Sequence, residues 1–225
     1  MTLAKNIKRV NIFLGPLGSG KTAVALNSAL HLAANGEESV LVDLDIINPY
    51  FRSRSVRKEF AGYGIEVICP PERIARGDLP ALPGAVRGAL VSNRRVIFDV
   101  GGDSAGATVL GCYQPYLPKG EYRLFFVVNT RRPFMRTVEE IAATAREIET
   151  AARTKIDFIV NNTNLGRQTS VAHVREGLKI TRAAAARLNI SVAFSSVLDD
   201  LSEPAKNQID GQMLPLRMFL NPPWD

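Results

Sequence analysis

VNIFLGPLGSGKT, residues 10–22, is the stretch of sequence that decides the fold. The apolar run Val10–Leu14 predicts a buried strand, and the pattern Thr22–Ala34 predicts a helix. Between them, Gly15–Thr22 matches the complete pattern G-x-x-x-x-G-K-[ST]. A glycine-rich loop between a strand and a helix is the arrangement that binds the phosphates of a nucleotide. An ordinary glycine turn is the alternative, which this context disfavours.

The residue types of this loop each have a chemical reason to contact a polyphosphate. Glycines allow backbone N–H groups to turn inward, and the helix N-terminus adds partial positive charge. Lys21 brings a full charge to the outer phosphates, and the Thr22 hydroxyl is a ligand for nucleotide-bound Mg²⁺. The predicted nucleotide-binding residues of this segment are Gly15, Gly18, Ser19, Gly20, Lys21, Thr22 and Ala23.

Length and composition favour one α/β domain over residues 1–225, since no linker, charge block or repeat divides the chain. The formal net charge is +6. Because the cationic residues are scattered, a solvated surface is the main interpretation and nucleic-acid contact is the alternative. No run of about 18 apolar residues predicts a transmembrane segment. Cys69 and Cys112 lack metal or redox spacing, which predicts buried, reduced thiols and a cytoplasmic location.

Strand and helix patterns alternate along the chain. Continuous apolar runs predict buried parallel strands at Val10–Leu14, Val40–Leu44, Val96–Val100, Leu124–Val128 and Ile156–Val160, followed by Ile190–Phe194 and an edge strand at Ile65–Ile68. Helical patterns lie at Thr22–Ala34, Ser53–Phe60, Ala81–Asn93, Thr137–Ala152 and Ser170–Leu188. The sequence therefore predicts an α/β fold, a three-layer sandwich with a mostly parallel, doubly wound sheet of about seven strands.

Polar residues or glycines follow most of the predicted strands. In a parallel sheet the carboxyl ends of the strands line one crevice, so these residues are expected to converge on a single site. They are Gly15, Asp43, Asp45, Asp99, Gly101, Gly102, Asn129 and Asn161.

Two of these segments carry carboxylates suited to magnesium. Asp99 ends an apolar strand and is followed by Gly101 and Gly102, which predicts a magnesium-binding carboxylate and a glycine N–H that meets a γ-phosphate. Asp43 and Asp45 follow the second strand, where one carboxylate would orient the attacking water and the other would hold the magnesium shell. An ordinary turn-capping Asp is the alternative in each case.

The cluster Asn161–Asn164 follows the fifth strong strand. Asparagine both donates and accepts hydrogen bonds, so Asn161 and Asn162 are candidates for contact with a purine edge. Asx turns explain a run of asparagines nearly as well. The cluster lacks the Lys and Asp of the guanine-binding pattern N-K-x-D, which favours ATP over GTP.

Several cationic and titratable residues have weaker interpretations. Arg52 and Arg54 follow the second strand, and Arg131 and Arg132 follow the fourth. Each pair either belongs to a solvated surface or reaches a phosphate. The two histidines, His31 and His173, are isolated on helical patterns, and no catalytic role is assigned to them.

With these residues identified, the chain resembles the ParA/MinD/CobQ-type group of P-loop ATPases, of the SIMIBI class, from Val10 to Phe194. The resemblance rests on Gly15–Thr22, Asp43–Pro49, Asp99–Gly102 and Asn161. It implies that Asp45 positions the hydrolytic water, that Asp45 and Asp99 belong to the magnesium site, and that Asn161 reads adenine. Members are ATP-dependent switches that dimerise around nucleotide, or enzymes of biotin and cobalamin pathways.

The chain departs from that group in its phosphate-binding loop. Pro16 stands where ParA and MinD-like members have a second, signature lysine, and Leu17 replaces a glycine. Arg52 or Arg54 would have to substitute for this lysine if the chain dimerises around ATP. The apolar tail Met213–Leu220 contains Pro215, which argues against a membrane-surface helix and favours packing on the domain.

These features predict a slow, magnesium-dependent ATPase that acts as a switch on an unidentified protein partner, with Lys21 and Asp45 in catalysis. The segments 45–57 and 100–112 are the expected switch segments. Two alternatives remain open at this point. One is an ATP-dependent small-molecule enzyme, and the other is a nucleotide-binding scaffold with little turnover.

Overall fold

The strands and helices alternate as the sequence predicts. The computed structural model describes residues 6–44, 57–69, 83–102 and 104–219. The strands are β1 (Val10–Leu14), β2 (Ser39–Leu44), β3 (Glu66–Ile68), β4 (Arg95–Val100), β5 (Tyr122–Val128), β6 (Phe158–Asn161), β7 (Ser191–Leu198) and β8 (Met213–Leu216). The helices are α1 (Lys21–Ala34), α2 (Arg57–Gly62), α3 (Gly84–Val91), α4 (Ser104–Tyr113), α5 (Val138–Ala152), α6 (Val171–Leu188) and α7 (Ser202–Ala205). Short 3-10 helices lie at Gln114–Tyr116 and Asp199–Leu201.

The strands form one sheet in the order β3-β2-β4-β1-β5-β6-β7-β8. All neighbouring pairs in this sheet are parallel. Strands β1 and β2 are buried along their whole length, because helices cover both faces of the sheet. The order also makes β4 and β5 the two neighbours of β1, so the loops after these strands flank the loop after β1.

In the central strands, alternate residues enter two apolar cores on opposite faces of the sheet. On one face, Ile12, Val42, Phe98 and Phe126 pack with helices α3, α4 and α5. On the other face, Phe13, Leu41, Ile97 and Phe125 pack with α1 and with Phe60 of α2. The rings of Phe13 and Phe125 stack with centroids 5.1 Å apart. The predicted α/β fold with a doubly wound sheet is therefore confirmed.

The starts of the two longest helices follow from local capping. Thr137 accepts a hydrogen bond from the backbone N–H of Glu140, whose carboxylate accepts one from the Thr137 N–H in return. Ser170 and His173 form the equivalent reciprocal pair before α6. Each pair satisfies two backbone donors that the first helical turn leaves unpaired. His173 thus has a structural role.

The structure adds elements that the sequence patterns did not predict. Helix α4 follows β4 directly, within the segment 100–112 predicted as a switch. The tail predicted only to pack on the domain forms an eighth strand, β8, paired in parallel with β7. The exposed Pro215 lies opposite Val197 in this pairing. An edge strand tolerates proline, because the missing N–H would not face another strand.

Three smaller predictions are adjusted. Strand β6 begins at Phe158 instead of Ile156, and β7 extends beyond Phe194 to Leu198. Cys69 and Cys112 are unpaired, as predicted, but both are half-buried instead of fully buried.

Among the described residues, no helix has the length and apolar character needed to cross a membrane.

Candidate functional site

The loop between β1 and α1, predicted to bind phosphate, contains a tight turn and two glycines with left-handed backbone. The Ser19 N–H donates to Pro16 O at 3.0 Å, which closes a turn. Gly18 and Gly20 have φ angles of 77° and 80°, in the left-handed region that favours glycine. Gly20 is the N-cap of α1, so the loop ends at the positive end of a 14-residue helix.

The loop after β4 lies directly against this phosphate-binding loop. An ideal Cβ at Gly102 would overlap Gly15 O and would lie 3.0 Å from the carbonyl carbon of Pro16 and 3.1 Å from Leu17 N. Only a residue without a side chain fits at this distance, so Gly102 is required for the two loops to meet. This contact brings the predicted γ-phosphate residue beside the predicted phosphate-binding residues.

The side chains predicted to contact phosphate and magnesium, Lys21 and Thr22, lie in the first turn of α1. Lys21 is 6% exposed and Thr22 is 5% exposed. A lysine is rarely buried to this degree unless its charge is compensated. Its position in the first turn of α1, directly after the glycine loop, is the one in which the sequence predicts contact with the outer phosphates.

Asp43 and Asp99 lie next to each other on neighbouring strands. The register of β2 and β4 pairs them, and their exposures are 0% and 1%. Asp43 and Asp99 each come two residues after Leu41 and Ile97, which pack on the α1 face of the sheet. Because residues two apart on a strand point to the same face, both carboxylates point to the α1 face as well. The carboxylates therefore belong to the face covered by α1, the helix that starts with Lys21 and Thr22.

This arrangement concentrates opposite charges in a buried volume. Two carboxylates on adjacent strands repel each other, and burial disfavours both charged forms unless a cation is near. Lys21 begins the helix that covers this face, and a divalent ion is the other kind of cation that compensates such a pair. The prediction that Asp99 binds magnesium fits this geometry.

Asn162 packs against the phosphate-binding loop. Its side-chain Nδ2 donates to Ser19 O at 2.6 Å, and an ideal Cβ at Gly20 would overlap the same nitrogen. Asn164 donates from Nδ2 to Asn162 O at 2.7 Å. Asn129, after β5, exchanges hydrogen bonds with the Asn164 backbone. This amide network joins the loops after β1, β5 and β6.

Asn161 has a different role from the one that the resemblance implies. Its side chain is 0% exposed, and its Nδ2 donates to Val174 O and to Ser195 Oγ, both at 3.0 Å. Its Oδ1 accepts from Thr163 Oγ1 at 2.8 Å. Asn161 shares the parity of Ile159, which packs on the face opposite α1. The geometry does not support the prediction that Asn161 contacts an adenine base.

The two arginines after β5 also differ from each other. Arg131 forms an ion pair with Glu176 of α6. The Arg132 side chain reaches the phosphate-binding loop, where its Nε donates to Gly18 O at 3.1 Å. Both residues lie in a turn, and α5 begins only at Val138. The sequence left these arginines ambiguous, although the adjacency of β1 and β5 brings their loops together.

The remaining predictions concern residues outside the described part of the chain and a histidine far along α1. Asp45, Arg52 and Arg54 lie outside the described residues. His31 is half-buried near the C-terminal end of α1, and burial lowers its pKa from the ordinary value.

Ser19 is 1% exposed, and its Oγ has no hydrogen-bond partner among the described residues.

Comparison with solved structures supports the fold. The signal recognition particle 54 kDa protein of Aeropyrum pernix K1, in complex with GDP, superposes with a TM-score of 0.57 and 16% identity over 85% of this chain and 42% of that one. FtsY of Mycoplasma mycoides gives a TM-score of 0.54 and 16% identity over 85% of this chain and 61% of its own. Chloroplast FtsY of Physcomitrella patens gives 0.55 and 18% over 86% and 60%.

These similarities show a shared fold. The chain spans less than two thirds of the length of each of those proteins. A comparison with protein-family models finds no match, and a comparison with curated protein sequences finds none. The loop of residues 15–22 thus lies in an α/β fold shared with these proteins, and both its binding of phosphate and the narrower resemblance to ParA and MinD stay predictions.

Proposed function

We propose that this chain, acting as a single domain, binds Mg²⁺–ATP at residues 15–22 and hydrolyses it slowly as a switch that acts on a protein partner. The observation that carries this proposal is the loop itself. It joins a buried strand to α1 with two left-handed glycines, and Gly102 lies against it. The fold shared with a protein crystallised with GDP supports a nucleotide as the ligand.

The residues around the loop fit a magnesium–nucleotide complex. Mg²⁺ in such sites is held by one or two protein ligands, by phosphate oxygens and by water. Thr22 and Asp99 would supply the protein ligands here, since one begins α1 and the other faces that helix. Among the described residues, no group of three or more His, Cys, Asp or Glu side chains is placed to hold a metal ion, so phosphate oxygens and water would have to complete the shell. Magnesium would neutralise charge on the phosphates when bound.

The chain's own groups divide the remaining tasks. Lys21 and the loop N–H groups would stabilise negative charge on the β- and γ-phosphates, where it increases during phosphoryl transfer. The Gly102 N–H is the candidate donor to the γ-phosphate. Asp45, two residues after the buried Asp43, is the candidate for orienting water. In this proposal the segments 45–57 and 100–112 change conformation when the γ-phosphate leaves.

The proposed base is adenine. A guanine-specific site uses a carboxylate to accept from the two guanine N–H donors of the Watson–Crick edge. The turn after β6 carries amides, from Asn161 to Asn164, and no carboxylate. Competition between ATP and GTP for the same site tests this choice, and a preference for GTP of tenfold or more would contradict it.

The switch hypothesis is tested by the size of the protein in each nucleotide state. The Asp45→Ala variant should bind ATP without hydrolysing it, and thus retain the ATP conformation. Size-exclusion chromatography with light scattering would then show a dimer with Mg²⁺–ATP and a monomer with Mg²⁺–ADP. The same experiment on Asp200→Ala, a carboxylate beyond β7, is the control. A single size in all states, with ATP bound, would contradict nucleotide-dependent dimerisation.

A small-molecule enzyme is the second candidate, because of one feature of the loop. Leu17 is 71% exposed at the tip of the loop, and Pro16 precedes it where a lysine would serve a partner subunit. An enzyme that activates a carboxylic acid with ATP needs no such lysine. Strong stimulation of ATP turnover by a carboxylic acid would favour this candidate, whereas ATP binding without turnover would favour a scaffold.

A further inference from the structure

The turn after β5 has a rigid connection to the interior. The Arg132 N–H donates to Asn129 O at 3.1 Å, which closes the turn. Asn129 is 0% exposed, and its Oδ1 accepts from the N–H groups of Arg131 and Asn164 at 3.0 and 3.2 Å. The backbone position of Arg132 is therefore set by a buried amide.

From this position, the Arg132 side chain crosses to the phosphate-binding loop. Its Nε donates to Gly18 O at 3.1 Å. An ideal Cβ at Gly18 would lie 2.9 Å from Nε and 3.3 Å from Cζ, so the guanidinium packs directly over this glycine. A side chain at position 18 would displace the arginine. The close approach requires a glycine in the loop and an arginine above it.

The hydrogen bond acts on a peptide plane in the middle of the loop that is proposed to bind phosphate. Gly18 C=O and Ser19 N–H belong to one planar, trans peptide unit, so they point in opposite directions. Arg132 holds the carbonyl end, while Pro16 O holds the N–H end at 3.0 Å. Two hydrogen bonds thus fix one plane in the middle of the loop. A pre-ordered loop binds its ligand more tightly, because less ordering is needed on binding.

Arg132 also differs from Arg131 in its ion pairing. Arg131 is paired with Glu176. Within the part of the chain that the structure describes, Arg132 has no ion pair with a carboxylate, and one of its five N–H donors, Nε, is used, at Gly18. Its positive charge is thus available beside the loop that would receive a polyphosphate.

We propose that Arg132 is a positioning residue of the nucleotide site, which holds the Gly18–Ser19 peptide in its binding orientation and adds positive charge beside the loop. This inference rests on the proposed nucleotide binding. Arg132 would thus support the loop from within the same subunit, without a lysine that acts on a partner subunit. Arg136, exposed in the same connection and without a side-chain hydrogen bond among the described residues, is the matched control.

The experiment compares Arg132→Ala, Arg132→Lys and Arg136→Ala by titration calorimetry with Mg²⁺–ATP over a range of salt concentrations. Arg132→Ala should weaken ATP affinity about tenfold, the amount expected for losing a hydrogen bond to a charged group. Arg132→Lys should recover part of this loss, because it retains the charge without the planar guanidinium. Arg136→Ala should bind within about twofold of the unmodified chain, as expected for a surface charge.

Two further readouts separate positioning from a general loss of structure. The melting temperature without nucleotide should fall by no more than about 2–4 °C in any of the three variants, the change expected for losing one hydrogen bond at the surface. The decrease of affinity with salt should become shallower in Arg132→Ala but not in Arg132→Lys, because only the first removes a charge near the ligand.

The possible failures are distinguishable. If the unmodified chain binds ATP and Arg132→Ala binds it equally well, the role of Arg132 is overturned and the proposed function stands. The same conclusion follows if Arg132→Ala and Arg136→Ala weaken binding equally. If the unmodified chain binds no nucleotide, both proposals are overturned.

Discussion

The ends of β4 and β6 carry buried polar residues at the same edge of the sheet, yet the two residues serve different purposes. Asp99 and Asn161 are 1% and 0% exposed. Asp99 has the parity of Ile97 and belongs to the α1 face, whereas Asn161 has the parity of Ile159 and belongs to the opposite face. A residue at the carboxyl end of a strand lies at this edge of the sheet, but the face to which its side chain points decides whether it can meet a ligand.

The difference extends to the two halves of the sheet. On the β2–β4 side, carboxylates collect beside the start of α1. On the β5–β6 side, amides hold the loops together through hydrogen bonds with Ser19, Asn164 and Val174. The first half therefore provides charge for the proposed chemistry, and the second half provides the fixed geometry on which that charge acts.

The largest expected effect comes from removing the charge at the loop. Lys21→Ala should abolish detectable Mg²⁺–ATP binding, a loss of at least about 100-fold, because a buried charge-assisted contact to phosphate disappears. In a thermal shift assay, saturating ATP stabilises a binding protein by about 2.7 kcal/mol at 100 times its Kd. Lys21→Ala should show no shift, whereas Lys179→Ala, an exposed lysine of α6, should shift like the unmodified chain.

For the buried amides on the β5–β6 side, we expect substitution to lower the stability of the fold and to leave ATP affinity nearly unchanged. Asn161→Ala should lower the free energy of unfolding by about 3 kcal/mol, because it leaves buried partners such as Val174 O and Thr163 without their hydrogen bonds. Urea denaturation measures this change. Below its unfolding transition, the variant should still bind ATP within about threefold. A large loss of ATP affinity in a folded Asn161→Ala protein would restore the base-contact hypothesis.

The contact between the two loops predicts a steric effect. Gly102→Ala places a methyl group against Gly15 O and the Pro16 carbonyl carbon. We expect a loss of about 2 kcal/mol in ATP binding, since overpacking of a close contact displaces the backbone. Gly88→Ala in α3, where a Cβ would meet nothing within 4 Å, is the matched control. It should leave binding unchanged and stabilise the helix by about 0.5–1 kcal/mol.

For the carboxylates on the β2–β4 side, we expect a smaller change in ATP affinity that depends on magnesium. Asp99→Asn keeps the shape of the side chain and removes its charge, so ATP affinity with Mg²⁺ should fall about tenfold. Affinity measured in EDTA should not fall, because one buried negative charge near the phosphates has gone. Equal losses with and without magnesium would show that Asp99 supports the fold without contributing to a metal site.

Much of this architecture follows from the sequence. Continuous apolar runs indicated the buried strands, and the pattern of Gly15–Thr22 placed the loop between β1 and α1. Strand β8 was missed because Pro215 was weighed only against a membrane-surface helix, whereas a proline also fits a strand at the edge of a sheet. Helix α4 was missed because its residues have little amphipathic pattern.

The site was less predictable from the sequence than the fold. Asn161 and Asn162 are adjacent in the chain, and their roles could be separated only once the orientation of β6 in the sheet was known. Counting from Val160, which packs on the α1 face, places Asn161 on the far face and sends Asn162 toward Ser19. The Arg132 contact depends on β5 lying beside β1, a tertiary fact that local patterns do not contain.

The measurement that tests the central claim most directly is titration calorimetry of the unmodified chain with ATP in the presence of magnesium. The account predicts saturable binding of one ATP per chain. AMP should bind much more weakly, since it lacks the outer phosphates that Lys21 and the loop would contact. No heat of binding with ATP or GTP, from a chain that gives a cooperative unfolding transition, would contradict the claim that residues 15–22 bind a nucleotide.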